Sequence, residues 1–447
     1  MRGDKRVERI VINKLGPIDY CDFEINDFMI FTGPQASGKS TIAKSIFFFK
    51  NIRNLIIKAI NRPVLVKEGG MEVSTKGRLM KDIRSTFLQT FGSTWHMDNR
   101  MSVKYYYTDS VYIKIRLKHD PVSRNYIWID FSDKLTDFLN KYDDMRINAI
   151  SHVNLQLLES LINNENLKKN MDELFENSEE VIYIPAGRSM MTLFSSQLMY
   201  MYSVMNDDQK RSLDYCTQNY LERIMQLKPS FSSSVQTLIK DKIELTDIKI
   251  DKENLEQCAD LMKQILHGEY RNMNGEEKLQ VSKDRYVKIN FASSGQQEAV
   301  WILNVVFYYL LNNKKTFFII EEPESHLFPD AQKLMTEFIS LAKNGGNKVL
   351  LTTHSPYILG TINNMLYANR ISKKIDKSEV AKIINPLKWL QFEKLSAYYV
   401  ESGAIHSCLD KEFESIDNEV IDGASDVINS DYDRMAELWY TNGMEVE

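Results

Sequence analysis

A nine-residue segment near the amino terminus carries the residue types that bind phosphates. It reads Gly33-Pro34-Gln35-Ala36-Ser37-Gly38-Lys39-Ser40-Thr41 and satisfies G-x-x-x-x-G-K-[ST], the P-loop pattern. In such a loop, successive backbone N–H groups and the positive end of a helix dipole surround the phosphates. Lys39 then reaches the β and γ oxygens, and the Ser40 hydroxyl binds magnesium. The segment predicts a site for ATP with Mg²⁺.

Two carboxylates follow an apolar run later in the chain. Phe317–Ile320 reads as a buried strand, and Glu321 and Glu322 come directly after it. Ligands bind at the carboxyl-terminal edge of strands in open α/β sheets. We expect Glu321 to hold magnesium through water and Glu322 to orient and deprotonate the attacking water. Glu324 is ambiguous and could cap the helix that follows.

A third candidate is Ser293-Ser294-Gly295-Gln296, at a predicted junction between a strand and a helix. The start of a helix offers N–H donors and hydroxyls suited to an anion. The segment precedes the acidic strand by about 25 residues, and His354 follows that strand by about 32. Because the segment is short, it indicates a functional motif only through its position relative to the acidic strand and His354.

The elements that must position these residues follow from hydrophobic periodicity. The P-loop lies between a strand at 28–32 and a helix at 41–60, whereas 103–107, 111–117 and 126–131 read as an antiparallel sheet. Further strands are predicted at 8–13, 181–184, 287–291, 317–320 and 348–352, and helices at 134–180, 296–311 and 330–343. Continuous apolar strands that alternate with helices predict an α/β fold with a parallel sheet covered on both faces.

Four segments are expected. Residues 1–190 form an amino-terminal lobe with the P-loop and the antiparallel sheet, and residues 191–285 form a helical insertion. Residues 286–375 form a carboxyl-terminal lobe with the remaining motifs, and residues 376–447 form an acidic helical tail. A chain of 447 residues exceeds what one hydrophobic core usually supports.

With its motifs in this order, the chain resembles the ABC-ATPase superfamily, and within it the SMC, RecF and OLD-like branch. Leu15–Ile18, Glu321–Glu324 and Thr353–Pro356 look like the corresponding segments of stand-alone AAA-type ATPases, many from bacterial anti-phage systems. The similarity covers residues 8–60 and 285–365. It implies an ABC-ATPase-like mixed sheet with an antiparallel β subdomain and a helical insertion.

The resemblance also implies roles for individual residues. Ser293, Gly295 and Gln296 would contact the γ-phosphate bound to the P-loop of another subunit, and His354 would sense that phosphate. Ser294 stands where the family usually has glycine. A homodimer or higher homo-oligomer, closed head to tail around ATP, is therefore implied.

The glutamine loop of the family has no counterpart at its expected position. The strand at 181–184 is followed by Pro185-Ala186-Gly187-Arg188, which contains no glutamine. We interpret Arg188 as a residue linked to the nucleotide or to the subunit interface, with a structural role in the turn as the other interpretation.

Two functions remain open. The first is a regulatory ATPase of a bacterial defence system that controls a separate effector protein, a nuclease or toxin. The second is an ATPase of DNA repair or chromosome organisation that binds DNA directly. Residues 191–280 are too few for the long coiled coil of SMC proteins and lack sustained heptads. We favour the first function, mainly because of the resemblance to the stand-alone ATPases.

Composition limits the possible location and partners. The amino terminus has no apolar signal segment, and the apolar stretch Ala299–Leu311 is too short to cross a bilayer, so we expect a cytoplasmic protein without membrane contact. Residues 410–447 carry a charge of −10, which leaves +5 on the rest of the chain. A mildly basic body permits contact with nucleic acid without requiring it.

Overall fold

The computed structural model describes residues 8–62, 74–119, 125–151, 164–193, 200, 204–206 and 213–442. The strands, numbered along the chain, are β1 Arg9–Leu15, β2 Ile18–Glu24, β3 Phe28–Thr32, β4 Ser102–Tyr106, β5 Tyr112–Lys118, β6 Tyr126–Phe131, β7 Glu180–Ile184, β8 Glu269–Met273, β9 Glu276–Ser282, β10 Arg285–Lys288, β11 Thr316–Glu321, β12 Lys348–Thr352, β13 Leu395–Glu401, β14 Ala404–Ser407, β15 Leu409–Asp410 and β16 Ser415–Ile416.

Helices flank and connect these strands. They are α1 Lys39–Asn61, α2 Thr75–Phe91, α3 Asp133–Ser151, α4 Asn164–Phe175, α5 Arg188–Leu193, α6 Tyr215–Leu227, α7 Val235–Leu245, α8 Lys252–Leu266, α9 Ser294–Leu311, α10 Pro329–Asn344, α11 Pro356–Ile371, α12 Lys377–Ala381 and α13 Asn418–Asn442. The predicted helices after the P-loop, at 296–311 and at 330–343 are confirmed.

A six-stranded sheet forms the centre, in the order β14-β13-β3-β12-β11-β7. Its strands are parallel except β14, which pairs antiparallel with β13 at one edge. Successive residues of each strand enter two different cores: Phe317 and Ile319 pack on one side of the sheet, and Phe318 and Ile320 on the other. The sheet is therefore buried on both faces, which explains the continuous apolar runs.

A second sheet is antiparallel, with five strands in the order β2-β1-β4-β5-β6. One face packs against α1, where the ring of Tyr105 stacks on Phe49 with centroids 5.4 Å apart. The predicted antiparallel sheet is confirmed, and the structure adds β2, which the sequence analysis did not predict.

The prediction that residues 191–285 are helical needs correction. Helices α6, α7 and α8 lie in this segment, but β8, β9 and β10 form a three-stranded antiparallel sheet at residues 269–288. Asn274 and Gly275, both with positive φ, form the turn between β8 and β9, and Asn-Gly is a strong hairpin signal. Residues 194–199, 201–203 and 207–212 of this segment lie outside the described residues.

The prediction of a helical tail from residue 376 also needs correction. β13 pairs in parallel with β3 and so belongs to the central sheet, and β14 extends the sheet by one more strand. Ser402 and Gly403, again with positive φ, turn the chain between these two strands. Of the described residues in this segment, those of α12 and α13 are α-helical, and the longer α13 matches the predicted acidic helix. Within the described residues, no helix is long and apolar enough to cross a membrane.

Candidate nucleotide-binding site

The carboxyl-terminal edge of the central sheet brings the predicted site residues together. β3, β12 and β11 are neighbours in parallel register, with Phe31 beside Thr352 and Thr352 beside Glu321. The P-loop and His354 follow the ends of β3 and β12, and the acidic pair comprises the last residue of β11 and the residue after it. Parallel pairing of three strands therefore assembles motifs that are far apart in the sequence.

The P-loop wraps around its own lysine. Lys39 is almost fully buried, and its ammonium donates to the carbonyls of Gly33 at 2.9 Å and Pro34 at 2.6 Å. Burial lowers the pKa of Lys39, while the nearby carboxylates of Glu322 and Glu324 act in the opposite direction. Gln35, Ala36 and Ser40 are exposed, and Ser37 and Thr41 are partly buried.

Two glycines of the loop are required by its surroundings. Gly33 has φ +135°, and a Cβ there would overlap the carbonyl oxygen of Val400 in β13. Gly38 has φ +110°, and a Cβ there would overlap the side chain of Ile18. Both positions favour glycine because of positive φ and because of close contacts. The contact between Gly33 and Val400 depends on β13, which the sequence analysis assigned to a helical tail.

Glu321 is a buried carboxylate with one oxygen left for a ligand. Its Oε2 accepts a long hydrogen bond of 3.4 Å from the Ala186 N–H, whereas Oε1 is buried without a hydrogen-bond partner among the described residues. Burial raises the pKa of Tyr183 well above its usual value, and the nearby charge of Glu321 adds to this shift. A buried, unpaired carboxylate oxygen fits the oxygen ligands that Mg²⁺ prefers.

Glu322 and His354 face each other across the strand ends. The His354 Nε2 lies 3.7 Å from the Glu322 Oε1, and Glu322 has the unusual φ of +42°. Burial lowers the pKa of His354, and the charge of Lys39 lowers it further, while Glu322 opposes both effects. The imidazole is therefore mainly neutral at pH 7 and can accept as well as donate a hydrogen bond.

Glu324 joins the ends of two strands and does not cap the following helix. Its Oε1 accepts from the Thr353 hydroxyl at 2.8 Å and from the His354 N–H at 2.7 Å. The N-cap of α10 is Phe328, without a side-chain capping bond. Burial raises the pKa of Glu324. The sequence analysis left this residue ambiguous, and the structure makes it the support of the His354 loop.

Arg188 is fully buried beneath the site. Its guanidinium donates to the carbonyls of Pro185 and Glu321, both at 2.6 Å, and of Glu322 at 2.9 Å. A guanidinium with these acceptors cannot reach a nucleotide without leaving them. The contacts agree with the structural interpretation of Arg188, extended to the end of β11, and any effect on nucleotide chemistry would pass through Glu321 and Glu322.

The charge of Arg188 is balanced by Glu298 in the second turn of α9. The Arg188 Nε lies 3.2 Å from the Glu298 Oε2, and the backbone N–H groups of Arg188 and Ser189 donate to the same carboxylate at 3.0 and 2.8 Å. Glu298 is 1% exposed. The sequence analysis did not single out Glu298, and a glutamate at an otherwise apolar helix position was the available signal.

The serine-bearing start of α9 forms a reciprocal capping box. The Ser293 hydroxyl accepts from the Gln296 N–H at 3.3 Å, and the Gln296 Oε1 accepts from the Ser293 N–H at 3.0 Å. A Cβ at Gly295 would overlap the carbonyl oxygen of His326, so glycine is required there by packing. Ser293 and Ser294 are exposed. Contact of this helix start with a phosphate stays a prediction.

Comparison with known proteins identifies the class. A family model described as "AAA ATPase domain" matches residues 6–359, so the chain belongs to the AAA ATPase domain family. No curated protein shows a significant match.

Solved structures with similarity to the chain include SMC head domains. One is the Smc head bound to the C-winged helix domain of ScpA, with 11% identity, TM-score 0.39, and coverage of 90% of this chain and 96% of that one. Another is the Smc head domain with an extended coiled coil bound to the C-terminal domain of ScpA from Pyrococcus furiosus. It has 12% identity, TM-score 0.38, and coverage of 95% of this chain and 99% of that one. A third is the SMC head domain from Thermotoga maritima, with 10% identity, TM-score 0.33, and coverage of 80% of this chain and 92% of that one.

The first prediction concerns Gly33. Gly33→Ala should abolish nucleotide binding and destabilise the protein, because the new methyl group overlaps the Val400 carbonyl. Gly346→Ala is the matched control: Gly346 also has positive φ, but nothing lies within 4 Å of a Cβ there. The control should lose only about 1 kcal/mol of unfolding free energy. Urea unfolding and titration with a fluorescent ATP analogue measure both effects, and equal losses in the two variants would contradict the prediction.

The second prediction concerns the buried pair of Arg188 and Glu298. Removing one partner leaves the other charge buried without a counter-charge. Arg188→Ala and Glu298→Ala should therefore each lower the free energy of unfolding by roughly 3–5 kcal/mol. The double variant should cost much less than the sum of the two, because no buried charge is left alone. Arg188→Met and Glu298→Gln are conservative checks that preserve volume. Additive losses in urea unfolding would mean that the two residues do not act as a pair.

Proposed function

We propose that this chain binds and hydrolyses ATP in composite sites that form when two copies meet head to tail. Each site would join the P-loop, Glu321, Glu322 and His354 of one copy to the Ser293–Gln296 segment of the other. The observation that carries the proposal is that the start of α9 presents exposed Ser293 and Ser294, whereas the hydrogen bonds of Ser293 and Gln296 to other described residues include no P-loop atom.

Hydrogen bonding at the start of α9 supports the proposal. Within the described residues, the side chains of Ser293 and Gln296 bond to each other and to the Leu266 carbonyl; no P-loop atom is among these partners. The Ser293 and Ser294 side chains are exposed at the start of an 18-residue helix. Such a helix start favours an anion, and the anion would come from a second copy.

The chemistry follows from the groups at the strand ends. The Lys39 ammonium exchanges the carbonyls of Gly33 and Pro34 for the β and γ oxygens of ATP. Ser40 and Glu321 would hold Mg²⁺, which neutralises the charge on the phosphates. Glu322 orients the attacking water and takes its proton, and the neutral His354 imidazole hydrogen-bonds near the γ-phosphate.

We further propose that nucleotide-driven assembly, as a dimer or a larger homo-oligomer, regulates a separate effector protein, a nuclease or toxin, in bacterial anti-phage defence. This role rests on the resemblance of the P-loop, Glu321–Glu324 and Thr353–Pro356 segments to stand-alone ATPases of such systems.

A third prediction tests the composite site by mixing two inactive variants. Lys39→Ala removes the phosphate-binding ammonium, and Ser293→Arg fills the helix start, so each variant alone should hydrolyse no ATP. Mixed dimers keep one site with two intact halves, and mixing should therefore restore phosphate release. Lys39→Ala mixed with Glu322→Gln is the control, because both changes damage the same half. Recovery in the control, or none in the test pair, would contradict the composite site.

A fourth prediction concerns the effector. If the chain regulates a nuclease or toxin, the product of an adjacent gene should be of that class and co-purify with this protein. Glu322→Gln, which slows hydrolysis and prolongs the ATP-bound state, should retain more of the partner than Lys39→Ala. A recombination gene in that position, with equal recovery of its product by both variants, would contradict the defence role.

A further inference from the structure

One face of the five-stranded antiparallel sheet lies outside both hydrophobic cores formed by the described residues. Side chains alternate along its strands: Val103 and Tyr105 of β4, and Ile113 and Ile115 of β5, are buried against α1 and its neighbours. The residues between them point the other way and are partly or fully exposed. We call this side the outer face. On β4, β5 and β6 it carries Lys104, Tyr112, Lys114, Lys118, Tyr126 and Trp128. On β1 and β2 it carries Arg9, Asp22 and Glu24.

Strand register concentrates lysines on the outer face. Lys104 of β4 lies directly opposite Lys114 of β5, and Lys118 is two positions further along the same side of β5. Like charges directly opposite each other destabilise a sheet. Among the described residues, none of the three ammonium groups forms an ion pair with a carboxylate. On its other side Lys114 lies opposite Asp130 of β6, whereas Lys104 lies opposite Val11 and Lys114, and Lys118 lies opposite Tyr126. Lys104 and Lys118 therefore have no acid across from them among the described residues.

The acids of this face lie mostly beside its arginines. Asp130 accepts from the Arg116 Nε at 3.1 Å and from the Trp128 Nε1 at 2.7 Å, and Asp22 pairs with Arg9. Glu24 lies opposite Arg9 in the strand register. Among its described residues, the face thus carries five cations, Arg9, Lys104, Lys114, Arg116 and Lys118, against the three acids Asp22, Glu24 and Asp130. The local excess is positive although the chain as a whole carries −5.

Aromatic rings are interleaved with the lysines. The Lys104 ammonium lies 4.4 Å from the ring centroid of Tyr106 and 3.8 Å from that of Tyr112. The Lys118 ammonium lies 4.4 Å from the ring of Trp128, and the Tyr126 ring contacts Trp128 edge to face at 6.2 Å. These contacts hold the cations beside flat apolar surfaces, with limited freedom to turn away.

We propose that the outer face binds single-stranded nucleic acid, with phosphates on Lys104, Lys114 and Lys118 and bases on the rings of Tyr126 and Trp128. Aromatic rings accept the unpaired bases of a single strand, and a cationic row follows its backbone. A duplex keeps its bases stacked inside and could use only the lysines. The site shares no residue with the nucleotide-binding edge and does not depend on ATP.

The fifth prediction is measured with labelled oligonucleotides. Fluorescence anisotropy of a single-stranded 12-mer, without ATP, should show binding. The logarithm of the association constant should fall with the logarithm of the salt concentration at a slope of about −2, because three lysine–phosphate contacts each contribute about −0.7. The matched duplex should bind more weakly. Trp128→Ala should weaken single-strand binding by roughly 5- to 150-fold, the typical effect of losing one base–aromatic stack, with little change in the salt slope.

Charge variants give the matched comparison. Lys104→Glu/Lys114→Glu/Lys118→Glu should abolish binding. Lys283→Glu/Lys374→Glu/Lys377→Glu changes the net charge equally at exposed positions elsewhere and should retain it. Thermal unfolding of both triple variants checks that the sheet remains folded; if the first triple variant unfolds, single Lys114→Gln substitution should lower the salt slope by about 0.7.

Three results would overturn the proposal. They are absence of oligonucleotide binding at low salt, equal affinity for duplex and single strand with no effect of Trp128→Ala, and binding of vesicles with anionic lipid but not of oligonucleotides. Because all of these measurements omit ATP, failure here leaves the composite-site proposal intact, and the mixing experiment leaves this one intact.

Discussion

The buried guanidinium of Arg188 is the constraint on which the nucleotide-binding edge depends. A charged group with no exposed surface must find hydrogen-bond acceptors and an opposite charge inside the protein. Here the acceptors are the carbonyls of Pro185, Glu321 and Glu322, and the charge is Glu298. One side chain thus joins the turn after β7, the last residues of β11 and the start of α9.

This connection has a consequence for the proposed composite sites. Glu321 and Glu322 would act on the nucleotide of their own chain, whereas the start of α9 would face the nucleotide of the second copy. Since Arg188 holds both elements, a shift of α9 on subunit contact would be felt at the carboxylates. Glu324 makes a similar link on the other side, between the end of β11 and the loop of His354.

The outer face differs from the nucleotide-binding edge in the burial and bonding of its polar groups. At the strand ends, a few buried polar groups are held by many hydrogen bonds, which suits chemistry on a small ligand. On the outer face, partly or fully exposed cations and aromatic rings lie along neighbouring strands and the cations outnumber the acids, which suits a long, repetitive polyanion. The two surfaces could therefore work independently in the same protein.

Much of the predicted structure came from signals in short stretches of the sequence. The P-loop, the acidic strand end and the flanking strands and helices depend on neighbouring residues, and so were visible in the sequence. Asn274-Gly275 and Ser402-Gly403 were equally local turn signals, and overlooking them led to the wrong helical predictions for β8 and β9 and for β13 and β14. The central sheet was predicted as parallel, but β13, β14 and the order of the strands were not.

The sequence by itself determined which chemistry is available, because residue types and short spacings specify phosphate binding, acid–base groups and helix starts. Only the tertiary structure decided what supports them. The partners of Arg188 lie 110 and 133 residues away along the chain, and Gly33 is restricted by Val400. Such contacts arise from strand pairing between distant segments, and no local pattern in one sequence encodes which distant carbonyl a buried charge will meet.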